Sequence, residues 1–348
     1  MLFRQLFDLT SSTYTYLLAD EESRAALLID PVFEQYTRDS ALVRELGLEL
    51  LSTLETHVHA DHVTAAWRFR EELGSRIVLS KRSGAEGADL YVEDGDTVRA
   101  GSIVLTARAT PGHTNGCTTW VTADRRMAFT GDALLIRSAG RTDFQQGDPH
   151  ALYRSIRERI FSLPDDCLLY PAHDYDGRTV TTVGEEKRWN ARVGGEASEA
   201  DFVGYMTNLG LAHPKRIDVA VPANLRCGKP PPEALTETPS WGPVVRTFAG
   251  VPEIEPGWVV ENRARITILD VRETRELAGD LGRIPESVHV PLGELRGRLS
   301  EVPREKAVVS VCRSGRRSAQ ACAILAAAGF REVASLAGGM LRWRALGL

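Results

Sequence analysis

The chain has 348 residues, 43% of them hydrophobic and 26% charged, with 30 glycines and 17 prolines, an ordinary globular composition whose length excludes one small fold and suggests two domains. The net charge of −5 without any dense Lys/Arg stretch argues against a nucleic-acid partner, and no apolar run approaches the roughly 20 residues a bilayer span requires. The N-terminus MLFRQLFDLTSSTYTYLL lacks the basic-then-apolar pattern of an export signal, and five scattered cysteines (Cys117, Cys167, Cys227, Cys312, Cys322) do not form a disulfide framework; a soluble cytoplasmic protein in a reducing compartment is expected.

Taken in chain order, the apolar segments RAALLID, LELLSTLE, RIVLS, SIVLTARAT, RRMAFTGD and CLLYPAHD read as strands, several of them delivering Asp, His, Gly or Pro at their ends. Helical periodicity occupies DSALVRELG, AAWRFREELG and PHALYRSIRERIFSL, the last opening on Asp148-Pro149 as N-cap and first-turn proline. Seven prolines between Gly228 and Gly257 (Pro230, Pro231, Pro232, Pro239, Pro243, Pro252, Pro256) predict an extended linker over residues 229–257, dividing a first domain at 1–228 from a second at 258–348. In that second part RITILDVRE, KAVVSV and EVASLAG read as buried parallel strands, and SAQACAILAAAGF as a helix ending at Gly329.

The segment Thr56-His57-Val58-His59-Ala60-Asp61-His62 places four metal-ligand side chains on one strand-to-helix loop, and His113, Asp132 and His173 each follow an apolar segment in Pro-Gly-His, Thr-Gly-Asp and Pro-Ala-His. One such histidine alone is ordinarily a hydrogen-bonded structural residue. Five histidines and two aspartates in matching contexts point instead to one metal centre.

HVHADH followed by GHT, TGD and AHDY resembles the metallo-β-lactamase superfamily over nearly the whole first domain. The resemblance implies an αββα sandwich, and two glutathione-linked branches share its ligand set: binuclear glyoxalase II thioesterases and mononuclear iron persulfide dioxygenases. GRTDFQQG at 140–147, PAHDY at 171–175 and VPANLRCG at 221–228 are similar to the dioxygenase branch. That likeness implies one Fe(II) per chain on His57, His113 and Asp132, with His59, Asp61, His62 and His173 around them orienting ligands or handling protons. It also places Arg141 and Tyr175 near the substrate, Arg141 as a bidentate fork for a glutathione carboxylate. Lys215, Arg216, Asn224 and Arg226 are weaker candidates for the same task.

In the second domain the strand KAVVSV delivers Cys312 into a loop, Cys312-Arg313-Ser314-Gly315-Arg316-Arg317, with a helix expected from Ser318. Backbone N–H groups at a helix start and three neighbouring arginines would stabilise a thiolate and attract anions. The other four cysteines read as small buried hydrophobes, and Asp270 and Arg272 as structural. LDVRE, GRIPESVHVPL, CRSGRRS and LAGGM occur in the order that resembles a single rhodanese module, a small α/β domain with a parallel sheet, implying that Cys312 carries sulfane sulfur as an enzyme persulfide. A phosphatase reading of the Cys/Arg loop is disfavoured by a loop one residue shorter than the phosphatase signature.

The two resemblances together imply a bifunctional sulfur enzyme whose partners are glutathione persulfide, glutathione, O₂, sulfite and thiosulfate, with homo-oligomerisation left open. The alternative is a glyoxalase II-type thioesterase with two metals and a rhodanese appendage.

Overall fold

The computed structural model describes residues 1–212, 214–230 and 241–348. The chain divides into two compact units, Met1–Ala234 and Leu235–Leu348.

In the first unit, strands β1 (Leu2–Asp8), β2 (Thr13–Ala19), β3 (Ala25–Ile29), β4 (Glu49–Leu54), β5 (Arg76–Ser80) and β6 (Leu90–Val92) form one sheet in sequential order. β1 to β3 pair antiparallel; β3 to β6 pair parallel, with α1 (Tyr36–Glu45) and α2 (Ala66–Leu73) in the β3–β4 and β4–β5 crossovers. The second sheet comprises β7 (Thr97–Ala100), β8 (Ile103–Ala109), β9 (Thr118–Thr122), β10 (Met127–Gly131), β11 (Leu168–Pro171) and β12 (Thr181–Thr182), with only β10 and β11 parallel.

Alternation along the strands sorts the side chains into layers. Tyr16, Leu18, Leu27 and Ile29 meet Leu105, Trp120, Phe129 and Tyr170 between the sheets. Their sequence neighbours Leu17, Ala26 and Leu28 face the other way, against Tyr36, Leu42 and Phe69 of α1 and α2. On the far side, Val121, Ala128 and Leu169 pack on α3 (Pro149–Arg154) and the wider helical turn Ser155–Ile160 that continues it, and on Phe202 of α5 (Glu199–Thr207). The result is the expected αββα sandwich. Asp148 caps α3, its Oδ1 accepting from the N–H groups of His150 and Ala151. Two further helices, α4 (Val183–Trp189) and α6 (Ile217–Asn224), complete the unit.

The second unit carries a sheet in the order β13-β14-β18-β17-β15-β16, where β13 is Val245–Arg246, β14 Pro252–Ile254, β15 Ile266–Asp270, β16 Val288–His289, β17 Ala307–Val311 and β18 Val333–Leu336. All its pairings are parallel except β13 with β14. Its helices are α7 (Pro256–Glu261), α8 (Thr274–Leu277), α9 (Arg316–Ala327) and α10 (Gly339–Ala345). The three strands expected here are β15, β17 and β18, each buried in the sheet.

The expected linker over 229–257 is too long. Residues 231–240, including Pro231, Pro232 and Pro239, lie outside the described residues. From 241 onward the chain is already part of the second unit: Trp241 packs edge-on against Trp258 at 5.8 Å, and β13 and β14 extend the sheet. Proline does not prevent this, because Pro252 is the first residue of its strand and Pro256 lies in the first turn of α7, where no N–H is needed.

Candidate functional site

Asp30 follows β3 in the left-handed region (φ +50°), a conformation that an aspartate tolerates better than most residues. Its carboxylate accepts hydrogen bonds from the backbone N–H of Thr56 (2.7 Å) and from the Thr56 hydroxyl (2.7 Å). With its proton committed to Asp30, the Thr56 hydroxyl accepts from His57 Nδ1–H at 3.0 Å, leaving Nε2 as the nitrogen His57 can offer a metal. His113 Nδ1 donates to the Arg141 carbonyl at 2.7 Å, with the same consequence, and His113 Nε2 lies 3.6 Å from Asp132 Oδ2.

Asp132 is delivered by Thr-Gly-Asp at the end of β10. Gly131 adopts φ +55°, and a Cβ there would stand 2.7 Å from the Thr56 side chain; only glycine lets the two ligand-bearing loops approach so closely. Ligand atoms of His57, His113 and Asp132 lie within 4.8 Å of one another. Asp132 Oδ1 is buried and without a hydrogen-bond partner. Two neutral-capable imidazoles and an unpaired buried carboxylate oxygen fit a divalent metal ion. Burial, then the neighbouring imidazoles of His59, His113 and His173, pushes His57 well below its ordinary range, toward the neutral form that ligates.

The remaining predicted residues gather beside this set. His173 Nε2 lies 3.6 Å from Asp61 Oδ1 and 3.8 Å from Asp132 Oδ1, while its Nδ1 reaches the Ser12 carbonyl at 3.2 Å. Asp61 Oδ2 sits 2.9 Å from His62 Nδ1. Burial opposes the charge on Asp61, but His173, His62 and His59 hold its carboxyl well below the usual range. His59, Asp61 and His173 form a second group of ligand atoms within 4.8 Å. His59 itself is turned toward Asp30 and Glu55.

This candidate ligand set opens into a cavity of about 880 Å³ whose wall includes Arg141, Phe144, Tyr175, Arg192, Leu211 and Lys215. Arg141 is not the free fork the sequence suggests. Its Nε and one terminal nitrogen bind Asp143 bidentately at 2.6 Å, it also donates to the carbonyls of Ala212 and Leu211, and it lies over the Phe144 ring. Tyr175 is on the cavity wall, its ring parallel to His173 at 6.1 Å. Arg216 pairs with Glu34, and Lys215 lines the cavity.

Asn224 has a different place from the one expected. It is buried at the end of α6, where Nδ2 donates to the carbonyls of His59 (2.9 Å) and His62 (2.8 Å) and Oδ1 accepts from Thr64 N–H (2.9 Å). It pins the ligand loop from a site some 160 residues away in the chain. Arg226 is not on the cavity wall. Asp30, Glu55 and Thr13, whose hydroxyl reaches Asp61 at 3.1 Å, escape sequence reading; for Asp30 the available signal was an acid at the end of a buried strand.

In the second unit, Cys312 is 1% exposed at the end of β17. Helix α9 starts at Arg316 rather than Ser318, so Arg316 and Arg317 belong to its first turn, and the loop proper is Cys312 to Gly315. Gly315, at φ +97°, turns its N–H onto Cys312 Sγ at 3.1 Å. The Ser318 hydroxyl lies 3.4 Å from the sulfur and 2.8 Å from the Ser335 hydroxyl behind it. Burial raises a thiol, but the Ser318 hydroxyl and the N–H groups of Ser318, Ser314 and Gly315 outweigh it, so Cys312 is held below the ordinary thiol range. The other thiols go the opposite way: burial pushes Cys117 and Cys227 up to about 12, and Cys167 and Cys322 up to about 11. Arg317 is not available to an incoming anion, because it binds Glu276 bidentately at 2.6 and 2.7 Å. Asp270 and Arg272 form a buried ion pair, at 2.6 Å, as the structural reading expects.

Comparison with known proteins agrees with both halves. Residues 10–173 match the metallo-beta-lactamase superfamily, and residues 255–346 match the rhodanese-like domain. The chain is 56% identical over 235 residues to persulfide dioxygenase ETHE1, mitochondrial, of Homo sapiens, covering 67% of this chain and 91% of that protein. The crystal structure of ETHE1 from Myxococcus xanthus is 52% identical, with a TM-score of 0.64, covering 66% of this chain and all of that one. Hydroxyacylglutathione hydrolase GloC of Haemophilus influenzae is 33% identical over 195 residues, covering 50% of this chain and 89% of that protein. The chain belongs to the metallo-beta-lactamase superfamily, and within it to the persulfide dioxygenases, with a rhodanese-like domain following the dioxygenase domain.

Proposed function

We propose that the first domain, residues 1–228, oxidises glutathione persulfide with O₂ and water to glutathione and sulfite, at one Fe(II) held by His57, His113 and Asp132. The observation that carries this reading is the convergence of those three ligand atoms within 4.8 Å on one side of an open cavity. When bound, ferrous iron supplies vacant positions where sulfur and O₂ meet and exchange electrons. The chain's own residues do the rest. Thr56 and the Arg141 carbonyl fix the tautomers of His57 and His113. His173, its Nε2 facing the Asp61 and Asp132 carboxylates, takes up the proton released from the persulfide, and Asp61, also paired with His62, stabilises the charge it then carries. Lys215 and Tyr175 on the cavity wall meet the tripeptide, while Arg141 shapes the rim through Asp143 and Leu211.

The Cys312 thiolate then attacks the sulfane sulfur of a second glutathione persulfide; the S–S bond breaks, glutathione leaves with the proton, and sulfite removes the sulfur as thiosulfate. The reverse transfer uses the same steps. Sulfite, the product of one site, is thus the acceptor at the other. Five unpaired cysteines accord with a reducing, cytoplasmic setting, and among the described residues no helix is long and apolar enough to cross a membrane.

The test is oxygen uptake by anaerobically purified, Fe(II)-loaded protein given glutathione persulfide; an absence of uptake sinks the reading. The second group, His59, Asp61 and His173, favours the hydrolase alternative. Two metal ions per chain together with cleavage of S-lactoylglutathione would establish that alternative, whereas one iron per chain supports the dioxygenase.

A further inference from the structure

Three serines interrupt the apolar interior of the second unit. Ser310 in β17 and Ser335 in β18 are register partners on neighbouring parallel strands, and Ser318 stands in the first turn of α9, which packs on both strands. All three are 0% exposed, although the flanking strand positions Val309, Val311, Ala334 and Leu336 are apolar core. A buried hydroxyl destabilises a fold unless its proton finds an acceptor, and an apolar pair of the same shape packs as well. The partners therefore say where each proton goes. Ser310 Oγ donates to the Ser318 main-chain carbonyl at 2.9 Å. Ser335 Oγ has one hydrogen-bond partner among the described residues, Ser318 Oγ at 2.8 Å. With a single neighbour and no water in reach, Ser335 gives that neighbour its proton, since an unused buried donor is the costlier arrangement. Ser318 thus accepts from Ser335 and keeps its own proton for two acceptors, the Gly315 carbonyl at 3.0 Å and Cys312 Sγ at 3.4 Å. The bond it accepts fixes the side chain beside the sulfur and, by polarising its O–H, strengthens the bond it donates.

We propose that Ser335 is a positioning residue for the sulfur site: acting through Ser318, it holds and polarises a hydroxyl whose one proton goes to the Gly315 carbonyl while Cys312 is a neutral thiol and to Sγ when Cys312 is a thiolate. Strand β18, which does not carry the cysteine or its loop, thereby contributes to the nucleophile. The inference deepens the reading of Cys312 as the sulfur carrier and rests on it, although it concerns the thiolate and not the transfer.

The pH profile of iodoacetamide alkylation, read on the Cys312 peptide by mass spectrometry of the full chain, reports the thiolate directly. In Ser335→Ala the profile should move to higher pH and the rate at pH 7 should fall about threefold, the scale of one hydrogen bond acting at second hand. In a Ser318→Ala background the same substitution should shift nothing further, because the hydroxyl it acts through is gone. Ser310→Ala removes an equally buried hydroxyl from the register partner without breaking the Ser335–Ser318–Cys312 chain, and its profile should stay where the wild type's is. An unshifted profile in folded Ser335→Ala protein, an equal further shift in the Ser318→Ala background, or a shift in Ser310→Ala as large as that in Ser335→Ala would each overturn the proposal. A wild type that moves no sulfur between thiosulfate and glutathione, with the Ser335→Ala shift intact, would overturn the sulfur-carrier reading while supporting this one.

Discussion

At the scale of single residues, the chemistry depends on which atom of each side chain is already committed. His57 and His113 are ligand-ready because Thr56 and the Arg141 carbonyl hold their Nδ1 protons. Asp132 is the carboxylate with an oxygen left over. Asp132→Ala should therefore abolish stoichiometric iron binding, measured by metal analysis after gel filtration, while the melting temperature of the metal-free protein stays close to that of the wild type. In the second unit the Cys312 thiolate is stabilised by donors that a neutral thiol does not need, Ser318 Oγ among them. Ser318→Ala removes one such donor, so the thiol pKa rises and the thiolate fraction at neutral pH falls. The pH profile of Cys312 alkylation should move to higher pH, and its rate at pH 7 should drop about fivefold, the equivalent of one hydrogen bond of ~1 kcal/mol. An unshifted profile would show that the backbone N–H groups alone hold the anion.

At the scale of elements, both sites sit where strands end, and distant helices hold them there. The loop after β4 carries four ligand-type side chains but little regular structure, and Asn224 at the end of α6 makes three hydrogen bonds to it. Asn224→Ala leaves two carbonyls and one N–H unpaired in a buried setting, at about 1–3 kcal/mol for each group that water cannot reach. For a domain of this size each kcal/mol lowers the melting temperature by roughly 2–4 °C. Calorimetry should show that fall, accompanied by weaker iron retention because the loop loosens. Helix α9 plays the corresponding part for Cys312: its N-terminus faces the loop, and Arg317 in its first turn is fixed to Glu276. These elements were legible in the sequence as strands and helices, since alternation and 3.6-residue periodicity are local properties. The linker was misjudged because seven prolines mark a break in regular structure without saying whether each falls inside a break or at the start of a strand or helix.

For the whole molecule, the proposed function pairs a site that would produce sulfite with one that would consume it, and that pairing predicts the product. Given glutathione persulfide and O₂, the wild-type chain should accumulate thiosulfate, and Cys312→Ser should accumulate sulfite in its place, as followed by monobromobimane derivatisation and chromatography. Thiosulfate at wild-type levels from the Cys312→Ser chain would mean that the transfer runs without Cys312.

What the sequence determined by itself was the inventory: a sandwich carrying HVHADH, GHT, TGD and AHDY, and a parallel α/β domain carrying CRSGRRS, because ligand types, glycines and strand patterns are written in consecutive residues. It could not determine how those side chains are shared out. That Arg141 spends its fork on Asp143, that Arg317 spends its own on Glu276, that Asn224 staples a loop and that His59 faces Asp30 and Glu55 were decided only by the tertiary structure. The physical reason is that a polar group takes whichever partner burial places within about 3 Å, and that partner is commonly tens or hundreds of residues away.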